Sequence, residues 1–254
     1  MKRGVLLFAF NTEQVNYYEM AVITAKRANQ FLNLPVTLVT NEFSLPKNPD
    51  YIFDCVKIST AQTDNINHNG TWYNKGRYRA YELSPYDETI LLDTDYLINS
   101  DMLLRLFEMC DDFMCHKSTS YVLNINSEQE AISARSFNTL WATVILFKKT
   151  QKVKQIFECL EMIQNNYNHY GTLYNFATSS YRNDYGLTIA LRIVNGHLED
   201  TKNYIPWSLL HVAKDTKIQR IADTKYKAIK NNKYTILEDT DFHMMDKTNF
   251  MELI

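Results

Sequence analysis

A six-residue apolar run near the start of the chain, Val5-Leu6-Leu7-Phe8-Ala9-Phe10, empties directly into polar Asn11-Thr12. A run with no polar alternation suits a strand buried on both faces, and such strands belong to parallel sheets covered by helices. From about Gln14 to Phe31 the apolar positions Val15, Tyr18, Val22, Ala25, Ala28 and Phe31 recur every three or four residues, the period of one helix face, and Pro35 marks the exit. Val36-Thr37-Leu38-Val39-Thr40 then reads as a second, β-branched strand. Strand, helix and strand in this order need a crossover connection, which predicts a parallel sheet with its ligand site at the carboxyl ends of the strands.

Beyond a turn-rich stretch, Ile52 to Ile58 reads as a short strand and Ser59 to Gly70 as a polar loop able to cover a ligand. Trp72 to Leu83 has the pattern of a helix bearing Lys75, Arg77 and Arg79, and Ser84-Pro85 stops it. Thr89-Ile90-Leu91-Leu92 forms another buried strand, ended by Asp93-Thr94-Asp95. A helix at Met102 to Cys110, a strand at Thr143 to Phe147 and helices at Val153 to Asn166 and Asp184 to Val194 complete the pattern. At 254 residues, the expectation is one α/β domain with a mixed, mainly parallel sheet flanked by helices.

The 27 basic and 29 acidic side chains leave a net charge of −2, so no whole-molecule field draws the chain to nucleic acid or membrane. The main local asymmetry is the segment 214–233, where Lys214, Lys217, Arg220, Lys225, Lys227, Lys230 and Lys233 face only Asp215 and Asp223. Cys55, Cys110, Cys115 and Cys159 have no zinc-type spacing and read as reduced thiols. No run approaches the roughly 18 apolar residues of a membrane span, which together with the thiols sets the expectation of a cytoplasmic protein.

Asp93 and Asp95, spaced i and i+2 after a hydrophobic strand, point to the same side. Burying both without a counter-charge costs several kcal/mol each, and a hard divalent ion with oxygen ligands removes that cost. The competing use of such an Asp is to cap the following helix.

In its context, Glu88-Thr89-Ile90-Leu91-Leu92-Asp93-Thr94-Asp95-Tyr96-Leu97 resembles the glycogenin-like glycosyltransferases of the GT-A, Rossmann-like fold. The resemblance implies that Asp93 and Asp95 coordinate manganese or magnesium, with Thr94 beside the donor's phosphates. Asn74-Lys75-Gly76-Arg77-Tyr78-Arg79 resembles the family's basic helix facing the donor, and α-helical spacing puts Lys75 and Arg79 on one face. Phe242-His243-Met244-Met245-Asp246-Lys247 resembles the family's terminal segment, making His243 the third metal ligand and Lys247 a diphosphate contact, although it lacks the family's Gly. Tyr181-Arg182-Asn183-Asp184-Tyr185-Gly186 looks like the segment beside the reacting sugar, which makes Asp184 a catalytic candidate with Asp95; Asp184 is also a plausible helix N-cap. Trp141 to Phe147 resembles the strand after the metal site, and Phe10, Asn11 and Thr12 stand where the family binds the nucleoside, with Tyr17 or Tyr18 available for stacking or for packing.

The activity implied is transfer of a hexosyl or pentosyl group from a nucleoside diphosphate sugar to an acceptor hydroxyl, with residues 1–100 as the donor half and 101–254 as the acceptor half. A compact chain of this type also resembles bacteriophage enzymes that glycosylate hydroxymethylated bases in DNA, which implies 5-hydroxymethylcytosine as one candidate acceptor and the basic segment 214–233 as a candidate DNA contact. A glycan or protein acceptor is the alternative. Two other classes stay open: a haloacid-dehalogenase-like phosphatase, which also ends a strand in Asp-x-Asp but with Gly-Thr where Tyr96-Leu97 stands, and a non-catalytic nucleic-acid-binding protein.

Overall fold

The computed structural model describes residues 1–58, 73–128, 130–134 and 136–253, with the side chains of 73–75 and 124–128 outside the description. In chain order the elements begin with β1 (Arg3–Phe8), α1 (Tyr17–Leu32), β2 (Val36–Thr40) and β3 (Cys55–Ile58). A 3-10 helix over Tyr73–Arg79 runs into α2 (Ala80–Leu83), followed by β4 (Glu88–Leu92), β5 (Tyr96–Leu97), a 3-10 turn over Met102–Arg105 and α3 (Leu106–Met109). Next come β6 (Phe113–His116), β7 (Thr119–Tyr121), β8 (Asn124–Glu128), β9 (Trp141–Lys148), α4 (Gln151–Asn165), α5 (Tyr167–Tyr174) and α6 (Asn183–Val194). The chain closes with β10 (Tyr204–Ile205), β11 (Leu209–Val212), β12 (Lys217–Arg220), β13 (Lys225–Lys230), β14 (Lys233–Glu238), β15 (Phe242–Met244) and α7 (Lys247–Glu252).

The main sheet has the order β10-β6-β9-β4-β1-β2-β3. Its strands run parallel except β9, which opposes both β4 and β6. This is the mixed, mainly parallel sheet flanked by helices that the apolar runs predict. The alternation of side chains along each strand divides the core in two. Leu6, Phe8, Leu91 and Ile145 pack with Ile156, Leu160 and Leu187 of α4 and α6, whereas Val5, Leu7, Ile90 and Val144 pack with Ala21, Ala25 and Ala28 of α1. From β1 the chain winds out to β2 and β3 and then returns to β4 on the other side of β1. The switch point therefore lies between β1 and β4, the crevice position at which open α/β sheets bind their ligands.

A second sheet, β5-β15-β11-β7-β8, starts immediately after that crevice, because Asp93-Thr94-Asp95 directly joins β4 to β5. The basic segment folds as the antiparallel meander β12-β13-β14. Tyr226, Ala228 and Ile218 on its inner face share a third core with Met20, Phe242, Met244 and Phe250. No described helix is long and apolar enough to cross a membrane, and the four cysteines are free.

Several boundaries differ from the periodicity. Helix α1 starts at Tyr17 rather than near Gln14, because Thr12 Oγ1 accepts from Val15 N (3.0 Å) and holds the preceding turn, while Asn16 caps the helix by accepting from Glu19 N (3.2 Å). The helix expected through Leu83 is mostly 3-10 up to Arg79, consistent with Gly76 in its middle, and the one expected at Met102 to Cys110 opens as 3-10 too. The strand expected from Ile52 is confined to Cys55–Ile58. The loop expected at Ser59 to Gly70, and Trp72, lie outside the described residues.

Candidate metal and donor site

Asp93 stands one residue past β4, its amide donating to Thr143 O across the antiparallel β4-β9 pair (2.9 Å). A tight turn follows, with Tyr96 N donating to Asp93 O (3.2 Å), and Thr24 Oγ1 of α1 anchors it by donating to Thr94 O (2.8 Å). Asp95 is then clamped by the second sheet, where Met244 N of β15 donates to Asp95 O (2.9 Å). The same strand pairing sets His243 opposite Tyr96. Ligand atoms of Asp93, Asp95 and His243 consequently lie within 4.8 Å of one another, with His243 Nε2 3.1 Å from Asp95 Oδ2.

This donor set fits a hard divalent cation. Two carboxylates and an imidazole are oxygen and nitrogen ligands that magnesium and manganese accept. The 3.1 Å separation matches the edge of about 3 Å that adjacent ligands at about 2.1 Å subtend on an octahedral ion. Burial pushes the His243 imidazole below its ordinary value despite the charges of Asp93 and Asp184, so it is neutral at pH 7, as a ligand must be.

Two cations already face the carboxylates. Lys247 Nζ donates to Asp95 Oδ2, and α7 presents it there because Asp246 caps that helix by accepting from Thr248 N (3.0 Å) and Asn249 N (3.2 Å). Burial holds the Lys247 ammonium below its ordinary value, partly offset by Asp93. Arg77, buried at 5% exposure, donates to Asp93 Oδ1 and to Ala142 O (2.6 Å). Arg79, the residue favoured by α-helical spacing, instead pairs with Glu82 on the outside (3.2 Å), and the side chain of Lys75 lies outside the described residues. The physical reason is the helix type: 3-10 geometry turns 120° per residue rather than 100°, so residues i and i+4 no longer share a face as they do in an α-helix. Gly76, a poor α-helix residue beside three cations, is the sequence signal that points to this.

Asp184 sits inside the first turn of α6 and does not cap it; Arg182 holds the cap position. Its Oδ1 instead accepts from Ala142 N at the entry of β9 (2.9 Å), while Oδ2 lies 3.6 Å from Arg182. Burial raises its pKa, opposed by the Ala142 hydrogen bond and by Arg182, and Asp93 pushes it up further. Asp184 and Asp93 therefore share one field, with Arg77 touching both Asp93 and the residue that holds Asp184.

Past β1, Phe10 is buried, Asn11 donates its amide to Ser44 Oγ (2.7 Å) and accepts from Tyr18 N (2.8 Å), and Thr12 closes the turn before α1. The side chains of Asn11 and Thr12 are thus committed to the loop. Tyr18 packs edge-on to Phe53 in the core (6.0 Å), whereas Tyr17 feels Asp93: burial first, then that carboxylate, raises its hydroxyl pKa. A cavity of about 20 Å³ lined by Arg77, Ala142 and Tyr181 has room for one water and not for a sugar nucleotide.

The sequence pattern includes Arg77 among three competing cations but favours Lys75 and Arg79 over it, and it misses His211. His211 on β11 is fully buried and is the register partner of His243, with 3.3 Å between their Nδ1 atoms. Burial, then the neighbouring imidazoles of His243 and His116, lower its pKa to about 3. A polar ring at the inward position of the apolar strand Leu209-Leu210-His211-Val212 is the signal that could have found it.

No family model matches the chain, and no curated protein matches it. Among solved structures, it is similar to the glycosyltransferase GlyE of Streptococcus pneumoniae TIGR4, with 13% identity, a TM-score of 0.42 and coverage of 80% of this chain and 44% of that one. It is similar to mouse xyloside xylosyltransferase 1 in its apo form, with 11% identity, a TM-score of 0.46 and coverage of 78% and 84%. A third likeness is to the galactosyltransferase LgtC in complex with donor and acceptor sugar analogues, with 15% identity, a TM-score of 0.45 and coverage of 74% and 70%. The chain spans less than half the length of the streptococcal protein.

Proposed function

We propose that this chain is a divalent-metal-dependent glycosyltransferase of the GT-A type, moving a sugar from a nucleoside diphosphate to an acceptor hydroxyl. The observation that carries the reading is the meeting of Asp93, Asp95 and His243 within 4.8 Å at the carboxyl edge of the sheet. These three hold manganese or magnesium, which when bound supplies positive charge for a leaving diphosphate. Arg77 and Lys247, already held against the two carboxylates, add fixed positive charge where the diphosphate develops negative charge. Phe10, Asn11 and Thr12 form the wall for the nucleoside, and Thr94 keeps the turn in place through Thr24. Asp184, anchored on Ala142 N, orients the sugar or the incoming hydroxyl from the α6 side.

Purified protein incubated with a panel of nucleoside diphosphate sugars should consume one of them only with manganese or magnesium present. Undiminished activity in Asp95→Ala removes that residue from the mechanism, and release of phosphate from simple monoesters with no donor consumed favours the phosphatase alternative.

The acceptor reading rests on the meander. Lys217, Lys225 and Lys227 lie on its outer face with Tyr234 and Ile236, which are 64% and 40% exposed. Cations interleaved with an exposed aromatic suit a nucleic acid, and a hydroxymethylated base in DNA is the acceptor we assign to it. A mass gain on DNA containing 5-hydroxymethylcytosine is expected; transfer to a glycan or protein alone overturns this choice.

A further inference from the structure

We infer that His211 is a positioning residue for the candidate metal ligand His243, holding its ring so that Nε2 faces Asp95; this rests on the metal site proposed above. Three observations support it. Parallel strands β11 and β15 pair His211 directly with His243, which brings the rings side by side, with centroids 4.7 Å apart at an interplanar angle of 83°. The Nδ1 atoms lie 3.3 Å apart while His243 Nε2 lies 3.1 Å from Asp95 Oδ2, so the two nitrogens of His243 are held by two different partners on opposite edges of the ring. Finally, His211 is fully buried and its Nε2 has no hydrogen-bond partner among the described residues. Trp141 and Tyr121 flank the ring at 4.8 and 5.5 Å as aromatic neighbours. A leucine would pack there without leaving a buried polar nitrogen unsatisfied. Among the described residues, the hydrogen-bond partner of the His211 ring is His243.

Chemistry gives this contact a direction. An imidazole that offers its Nε2 lone pair to a cation carries its hydrogen on Nδ1 and needs an acceptor there, and that second contact fixes both tautomer and ring orientation. His211 supplies its Nδ1 lone pair and keeps its own hydrogen on Nε2. The acceptor in this position is an uncharged ring, where a carboxylate or carbonyl is the commoner choice. It therefore orients His243 without adding a third negative charge to Asp93 and Asp95.

The test uses the full chain labelled with nitrogen-15. A scalar coupling across the hydrogen bond between the Nδ1 atoms of His211 and His243 is expected in the metal-free protein and on saturation with magnesium, where the hydrogen resides on His243. Absence of the coupling in both states overturns the inference. In parallel, manganese binding is followed by free-ion electron paramagnetic resonance. His211→Leu, which keeps the bulk nearest the backbone and removes the acceptor, should lose about 10- to 100-fold in affinity. His211→Asn, whose Oδ1 falls where Nδ1 was, should stay within about threefold of wild type. Equal manganese affinity in wild type and His211→Leu also overturns the inference. A wild-type protein that shows the coupling and binds no manganese refutes the metal site while leaving the pairing of the rings established. If His211→Leu does not fold, the coupling in wild type and the affinity of His211→Asn still decide.

Discussion

Removing Arg77 should harm the metal-free protein much more than removing its partner Asp93. A contact ion pair with about 4 Å between charge centres is worth about 4 kcal/mol at an effective dielectric of about 20. Asp93 and Asp95 repel each other across at most 4.8 Å, which at the same dielectric costs about 3.5 kcal/mol. In Asp93→Asn the attraction and the repulsion disappear together, so the two terms nearly cancel and the loss should be about 1 kcal/mol. In Arg77→Met the attraction is lost, the repulsion stays, and Ala142 O loses a donor 2.6 Å away. The expected loss is about 4 to 5 kcal/mol, the lost attraction plus the lost donor, with the carboxylate repulsion left standing. The double variant Arg77→Met/Asp93→Asn should recover to within about 2 kcal/mol of wild type, since only the contact to Ala142 is then missing. Urea unfolding at pH 7 with a chelator present measures all three, and each kcal/mol corresponds to about 2–4 °C in melting temperature for a chain of this size. Equal losses in the two single variants, or a double variant whose loss is their sum, would refute this balance of charges.

Manganese together with a nucleoside diphosphate should raise the melting temperature of wild type, by about 2.7 kcal/mol of added stability at 100 times the dissociation constant, and should leave Asp95→Asn unshifted. Glu88 is buried, which raises its pKa, but the bonds from Arg3 (2.6 Å) and Lys148 (3.2 Å) more than offset this and hold it below 4.5 in the folded state. Because the unfolded chain then binds the proton more tightly, stability should rise with pH through that window. The advantage of wild type over Glu88→Gln should accordingly be full at pH 7 and fade as the pH falls below 4.5, as followed by thermal unfolding across pH. Gly186→Ala drives a methyl group into the hydroxyl of buried Tyr181 at the base of the turn carrying Asp184. It should cost about 1–3 kcal/mol of stability and lower turnover more than donor affinity; unchanged unfolding would show that the ring gives way freely.

What the amino-acid order determined by itself is what short-range physics controls. The apolar run from Val5 and the β-branched runs from Val36 and Thr89 are buried on both faces of a parallel sheet, with the hydroxyls of Thr37, Thr40 and Thr89 satisfied by Tyr86, Ala9 O and Ser84. The change from Leu92 to Asp93 marks where the sheet meets its crevice. Side-chain partners across long separations were decided by the tertiary structure. The pairing of β5 with β15 brings His243 to Asp95, and the pairing of β15 with β11 adds His211. Register between distant strands depends on which cores they close, and no local pattern encodes it. Asp184 shows the same limit: its local sequence fits a helix cap, yet the approach of α6 to β9 offers it Ala142 N instead. Arg77 and Arg79 differ for a subtler reason, since both lie in one short basic segment. The tighter 3-10 turn, in a segment that packs against α4 and reaches β9 through Arg77 and Ala142 O, decides which guanidinium meets Asp93 and which stays with Glu82.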